Sequence, residues 1–333
     1  MIAYISKLIS LQQSLLKTIG KLQKISVIWS TNYKVMKIGG FSYVRNGFDY
    51  GVPFIESIKS VLPICDEFVI AVGDSNDGTR AAIEQINSDK IKIIDTVWDM
   101  NLRKGGKVFA QQTNIALDHV QADWAFHIQS DEVMHENDLA QIKAQVASYD
   151  QDKNVDGFIF PFLHFWGGYD HIRNTRRVHN FEVRMIRNHI GVRSYRDSQG
   201  FRKYKSFENY LNGSEQGEKL KVKKIDATVY HYTGIRTPAS FITKAKMFNS
   251  YYDNPAQVEQ RFEQMGYNIH SVDRTVLYHG THPAVMQEKV NAQDWEYAYD
   301  PKKSVWKLKD RLLQPIEDVL GFKFGEYKNY KLI

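Results

Sequence analysis

The sequence predicts an α/β fold: a mixed, mostly parallel sheet with helices on both faces, followed by a C-terminal helical elaboration. Three observations carry this. Between residues 36 and 150, β-rich apolar runs alternate with helical patterns, the signature of βαβ units joined into a parallel sheet. The runs end in turn-forming residues, as in G-D-S-N-D-G at 73–78. After 150 the alternation stops, and further β-rich runs follow that can extend the sheet with antiparallel members.

Each element follows from local pattern. The apolar run 37–44 is the first expected strand, and 54–62 a helix opened by Pro53, whose fixed φ suits a first turn. Strands are expected at 67–72, 91–95 and 123–129, with helices at 79–86, 107–120 and 137–148. A Phe-rich strand at 155–163 leads to the loop W-G-G at 166–168, with further strands at 181–187 and 222–230. Residues 238–266 read as helical, with Lys244, Met247, Phe248 and Tyr251 at helical spacing, and the remaining tail is mixed and aromatic. The expected organisation is an N-terminal extension over 1–35, one main domain over 36–236 and a mainly helical region over 237–333.

Composition narrows the function classes. At 333 residues the chain can bury a full core, and 43% hydrophobic with 25% charged residues is the balance of a folded soluble protein. The formal charge of +6 is concentrated at the start. Residues 1–35 hold Lys7, Lys17, Lys21, Lys24 and Lys34 and no acid, leaving 39 of the 44 basic side chains against all 38 acidic ones. A near-neutral body argues against nucleic-acid binding. The single Cys65 excludes an internal disulfide and fits a reducing, cytoplasmic setting.

No window reaches the roughly 18 uninterrupted apolar residues of a spanning helix. Ile2, Ile5, Ile9, Leu16 and Ile19 share one helical stripe, as in a helix that lies on an anionic membrane surface. The alternative, equal in weight, is an extension without an ordered role, because Met36 directly precedes the first strand. Eight arginines between 173 and 202 face only Glu182 and Asp197. They are either phosphate contacts or a solvated loop.

Candidate chemistry gathers at strand ends, where an open α/β sheet forms its ligand crevice. V-R-N at 44–46 and G-D-S-N-D-G-T at 73–79 meet at one edge of it. There Asn46 and Asp74 are expected beside a nucleoside, while Asp77 caps the following helix. Lys107, Gln111 and Asn114 share one helical stripe, and an asparagine amid Phe109, Ile115 and Leu117 calls for a polar partner, backbone or ligand. The strand D-W-A-F-H-I-Q-S-D-E at 123–132 ends in two carboxylates that point to opposite sides, so one of Asp131 and Glu132 can reach a metal. His231 ends a strand on the face of Ile225, Ala227 and Val229, and suits a divalent ion as a third ligand.

With these motifs the chain resembles glycosyltransferase family 2 and its relatives of the GT-A fold. The resemblance runs through V-R-N at 44–46, G-D-S-N-D-G-T at 73–79, Lys107 and Asn114, Q-S-D-E at 129–132 and Y-H-Y-T-G at 230–234, within residues 36–236. It departs at Gln129, which stands where the family's metal motif carries its first acid; Asp131 matches the second. The resemblance implies transfer of a sugar from a nucleoside-diphosphate sugar to a hydroxyl of a glycan or lipid-linked acceptor, in cell-surface glycan synthesis. It implies a divalent cation, Mn²⁺ or Mg²⁺, on Asp131 and His231, with Arg184 among the donor contacts. An inverting transfer needs a base, for which Asp197, in the polar turn R-D-S-Q-G, and Glu182, on the same strand face as Arg184, are the candidates. Asp197 is the first choice, because a mobile loop suits acceptor binding. Trp166, beside two glycines, is the expected acceptor contact, whereas Phe160, Phe162 and Phe165 read as core. This account requires Asp131, His231, Asp74 and Asn114 to converge.

Two other readings remain open. A non-catalytic module would keep the fold and bind nucleotide without a metal. A sugar-phosphate nucleotidyltransferase would need a Gly-rich loop after strand one, where this chain reads V-R-N-G-F.

Overall fold

A computed structural model describes residues 35–102, 104–235, 237–265 and 272–333. Apart from Val35, the extension expected over 1–35 lies outside the described residues, and the chain from Lys37 to Ile333 forms one compact unit.

The first half builds the parallel sheet in the expected order. Strand β1 (Ile38–Val44) is followed by α1 (Phe54–Val61), β2 (Glu67–Val72), α2 (Thr79–Glu84), β3 (Ile91–Asp95), α3 (Lys107–Asp118) and β4 (Trp124–His127). β1 pairs in parallel with β2 and β4, and β2 with β3. Side chains alternate across a strand, so the two faces of β1 differ. Phe41, with Val69, Ala71 and Ala125, packs against Ala116, Leu117 and Val120 around α3. Gly40 faces the other way, where a Cβ would lie 2.4 Å from the Phe68 ring and 3.0 Å from Cys65 Sγ. Gly39 has no more room: its Cβ would lie 2.5 Å from Val120. Both glycines let neighbouring layers approach β1 closely, and the sheet is covered on both faces.

Beyond β4 come β5 (Glu132–Met134), α4 (Leu139–Ser148), β6 (Gly157–Trp166), β7 (Gly168–Ile172), β8 (Phe181–Arg187), β9 (Val192–Ser194), β10 (Phe201–Lys203), α5 (Phe207–Asn212), β11 (Glu218–Lys224) and β12 (Val229–Gly234). The main path through the sheet is β3-β2-β1-β4-β8-β6-β11-β10-β9. Only β8 and β10 run against the other members of this path.

The single strand expected at 222–230 is two strands. β11 and β12 follow one another in parallel along the edge of β6. Between them, side chains near and on α4 take the backbone groups: Asp138 accepts from Thr228 N, and Gln141 and Gln145 donate to the carbonyls of Asp226 and Lys224.

The helix expected at 238–266 is likewise divided, into α6 (Pro238–Ser250) and α7 (Pro255–Met265). Pro255 lacks the N–H that a continuing helix needs and disfavours helical backbone at Asn254. The rest of the chain holds β13 (Val276–Leu277), α8 (Gln287–Asn291), α9 (Leu308–Leu320) and β14 (Tyr330–Leu332). β14 returns to the sheet in parallel with β11, Leu220 opposite Tyr330. Among the described residues no helix is long and apolar enough to cross a membrane.

Candidate active site

The carboxyl ends of β1 and β4 open onto a cleft of about 840 Å³. β1 and the residue after it supply Tyr43 and Arg45, α3 Phe109, the turn after β4 Gln129, Ser130 and Asp131, β8 Glu182 and Arg184, β12 His231, and α6 Lys244. A crevice at this end of a parallel sheet is where the topology leaves side chains free to converge.

Asp131 and Glu132 part as their extended backbone dictates. Asp131 lines the cleft, with Oδ2 2.9 Å from Lys244 Nζ and Oδ1 3.5 Å from His231 Nε2. Glu132 is fully buried and accepts two bonds from the Arg184 guanidinium, 2.6 Å and 2.8 Å, and one from Gln129 N at 3.1 Å. The Arg184 guanidinium lies over the Phe162 ring, 5.0 Å from its centroid. This fork-to-fork pair fixes the turn that presents Asp131.

A chain of histidines orients His231. Strand pairing sets His231 opposite His164, and their Nδ1 atoms are 2.8 Å apart. His164 Nε2 lies 2.7 Å from the His179 carbonyl, which can only accept, so that nitrogen carries the proton. Burial, with His231 second, pulls the His164 pKa down to about 3, so the ring is neutral and its Nδ1 accepts from His231 Nδ1–H. In neutral His231 the lone pair is then on Nε2, facing Asp131. The three histidines offer nitrogens within 4.8 Å of one another, but both nitrogens of His164 are engaged in this chain, so the trio orients His231 rather than forming a separate cation site.

Glu182 shares its strand face with Arg184, as the alternation predicts. Arg184, however, pairs with Glu132. Glu182 Oε2 has no hydrogen-bond partner and no solvent contact. Burial raises the carboxyl to about 7 against the opposing pull of Arg184. Asp197 also lines the cleft, in a turn with positive φ at Arg196 and Ser198. Its Oδ2 accepts from the Tyr252 hydroxyl at 2.7 Å, and Gly106, at the start of α3, leaves room for it.

The remaining expected residues do not join Asp131 and His231. Asn114 ties α3 to β9: its amide accepts from Ser194 N and donates to Ser194 O and the Tyr210 hydroxyl. That is the polar partner its burial required, and it is backbone and tyrosine. Lys107 is exposed at the start of α3 and does not line the cleft. Asn46 adopts φ 49° and accepts from Asn76 N, joining the two strand-end turns. Asp74 is exposed and forms a two-point pair with Arg45, so only Arg45 of that pair lines the cleft. Asp77 plays its expected capping role for Thr79 and also accepts from Phe48 N and Asp49 N.

The arginine concentration disperses into structural pairs. Arg173 pairs with Asp273, Arg176 with Asp310 and Glu317, and Arg193 with Asp118. Arg187 donates to four carbonyls. Sequence reasoning missed Lys244 as a partner of Asp131 and His164 and His179 as neighbours of His231. The available signal was His164 itself, a titratable group inside a Phe-rich strand, which must find a partner.

No family model and no curated protein matches the sequence. Solved structures show distant likeness. S. aureus TarS (residues 1–349) has a TM-score of 0.36 and 13% identity, covering 69% of this chain and 73% of that one; it has also been crystallised with UDP. Glucosyl-3-phosphoglycerate synthase from Mycobacterium tuberculosis, in complex with Mn²⁺, UDP and phosphoglyceric acid, has a TM-score of 0.28 and 14% identity over 40% of this chain and 45% of that one. The 4-diphosphocytidyl-2C-methyl-D-erythritol synthase of Anaerococcus prevotii has a TM-score of 0.37 and 9% identity over 65% and 96%.

Proposed function

We propose that the protein transfers a sugar from a nucleoside-diphosphate sugar to an acceptor hydroxyl, with inversion at the anomeric carbon. The observation that carries this reading is the placement of Asp131 Oδ1 and His231 Nε2 3.5 Å apart at a strand-end cleft that also holds the raised carboxyl of Glu182.

A divalent cation, Mn²⁺ or Mg²⁺, fits the donor set. Ligand bonds of about 2.1 Å bring neighbouring ligand atoms to roughly 3 Å, close to the observed separation. Asp131 and His231 would hold the ion, which when bound supplies Lewis acidity to the departing diphosphate. Lys244, fixed on Asp131 Oδ2, adds positive charge beside that oxygen.

Glu182 is the base in this reading. A carboxyl poised near 7 takes the acceptor proton at neutral pH more readily than an ordinary carboxylate. As the acceptor oxygen attacks, the bond from the anomeric carbon to the diphosphate breaks and its electron pair leaves with the diphosphate. Asp197, which accepts from the Tyr252 hydroxyl, positions substrate in this reading. The acceptor is a glycan precursor, soluble or lipid-linked, and the reaction is cytoplasmic, at the membrane's inner face where 1–35 provides contact.

The test is a panel of labelled nucleotide sugars, each with Mn²⁺ or Mg²⁺. Donor hydrolysis or transfer is expected, abolished by EDTA and reduced roughly 100-fold in Asp131→Asn. If the intact chain turns over no donor, the proposal fails.

A further inference from the structure

A second opening of about 350 Å³ adjoins the cleft and shares Arg177, His179 and Glu182 with it. Three buried polar atoms on its lining have no partner: His179 Nε2, Glu182 Oε2 and Asn329 Nδ2. A buried polar atom without a partner is costly, and three around one opening call for a ligand. Two of them are neighbours across Gly200. A Cβ at Gly200 would lie 2.3 Å from Asn329 Nδ2 and 3.6 Å from Glu182 Oε2, so the two atoms are less than about 6 Å apart.

The rest of the opening is basic. Arg176 is neutralised by Asp310 and Glu317, but Lys309, Lys323 and Lys328 also line it and form no ion pair among the described residues. Lys323 donates to the Val178 carbonyl, which aims its ammonium along the lining. Apart from Glu182, Glu326 is the one carboxylate on the lining.

We propose that this opening is the acceptor subsite and that the acceptor is a hydroxyl compound bearing a phosphate. The phosphate lies against Lys309, Lys323 and Lys328, and the reacting hydroxyl lies at the Glu182 carboxylate that lines both openings. This rests on the sugar-transfer reading of the cleft, because Glu182 is the base shared by both openings. The volume is at the small end of ligand pockets, so it holds the phosphate-bearing end of the acceptor.

The test uses the full chain and isothermal titration with inorganic phosphate, after the cleft is saturated with Mn²⁺ and the nucleotide that the donor panel selects. Glucose 6-phosphate and monomeric dodecyl phosphate, titrated in parallel, separate a soluble from a lipid-linked source. Phosphate affinity is expected to fall roughly tenfold in Lys323→Met and in the Lys309→Ala/Lys328→Ala double variant, with nucleotide affinity unchanged. The double variant changes exposed side chains and keeps the fold. If the wild type binds no phosphate below about 10 mM, or if both variants bind it as the wild type does, the proposal is overturned. Phosphate binding that depends on these lysines, without any nucleotide binding, would refute the transfer reading and leave the anion pocket standing.

Discussion

Replacing Glu182 by glutamine gives a pH-dependent stability change whose sign and size follow from one buried carboxyl. Glu182 titrates at about 7 in the folded protein against 4.5 ordinarily. Below pH 4.5 both folded and unfolded chains hold the proton, so the site is without cost. Between pH 4.5 and 7 the unfolded chain has released its proton while the folded chain keeps it, and stability falls as pH rises. Above pH 7 the whole cost is present. At about 1.4 kcal/mol per pH unit it comes to about 3 kcal/mol. Glu182→Gln cannot ionise and escapes this cost. The variant is therefore expected to gain on the wild type by about 2 kcal/mol between pH 5 and pH 8, read from urea unfolding of both proteins at intervals across that range. In parallel, wild-type transfer should rise through pH 7, and the variant should lose that limb. A stability difference that stays flat from pH 5 to pH 8 would refute the environment argued for Glu182.

Other perturbations test the supports of the site. Glu132→Gln removes one partner of the buried pair and leaves Arg184 uncompensated; unfolding free energy should drop by about 3–5 kcal/mol in denaturant titration. His164→Phe removes the acceptor that keeps the His231 proton on Nδ1. Mn²⁺ affinity by calorimetry should fall roughly 10-fold while the unfolding midpoint in EDTA moves little, and His164→Gln, which keeps an acceptor, should restore most of it. An unchanged Mn²⁺ affinity in His164→Phe would show that the histidine chain has no bearing on the ion.

Legibility in the sequence tracked the range of the interaction. The strands and helices up to 148 follow from alternation and helical spacing, since both depend on neighbours a few residues away, and their order fixes a parallel sheet by short right-handed crossovers. Asp131 was legible because a strand's end and its turn are local. The single strand at 222–230 and single helix at 238–266 are divided by partners that the local pattern does not show, a helix 79 to 85 residues upstream whose glutamines take the backbone groups between the strands, and by Pro255, which interrupts the helix. Asn114 was legible as a buried amide in need of a partner, but not as a tie to Ser194, 80 residues away.

What the local pattern determined by itself is the parallel half of the sheet and the carboxylate that stands at its carboxyl edge. Only the tertiary structure decided that Arg184 belongs to Glu132, that Arg173 and Arg176 meet acids brought back from the C-terminal region, and that Oε2 of Glu182 is buried without a partner. The reason is physical: a charge's partner and its distance from water are properties of three-dimensional neighbours, whereas a strand's alternation is a property of the chain.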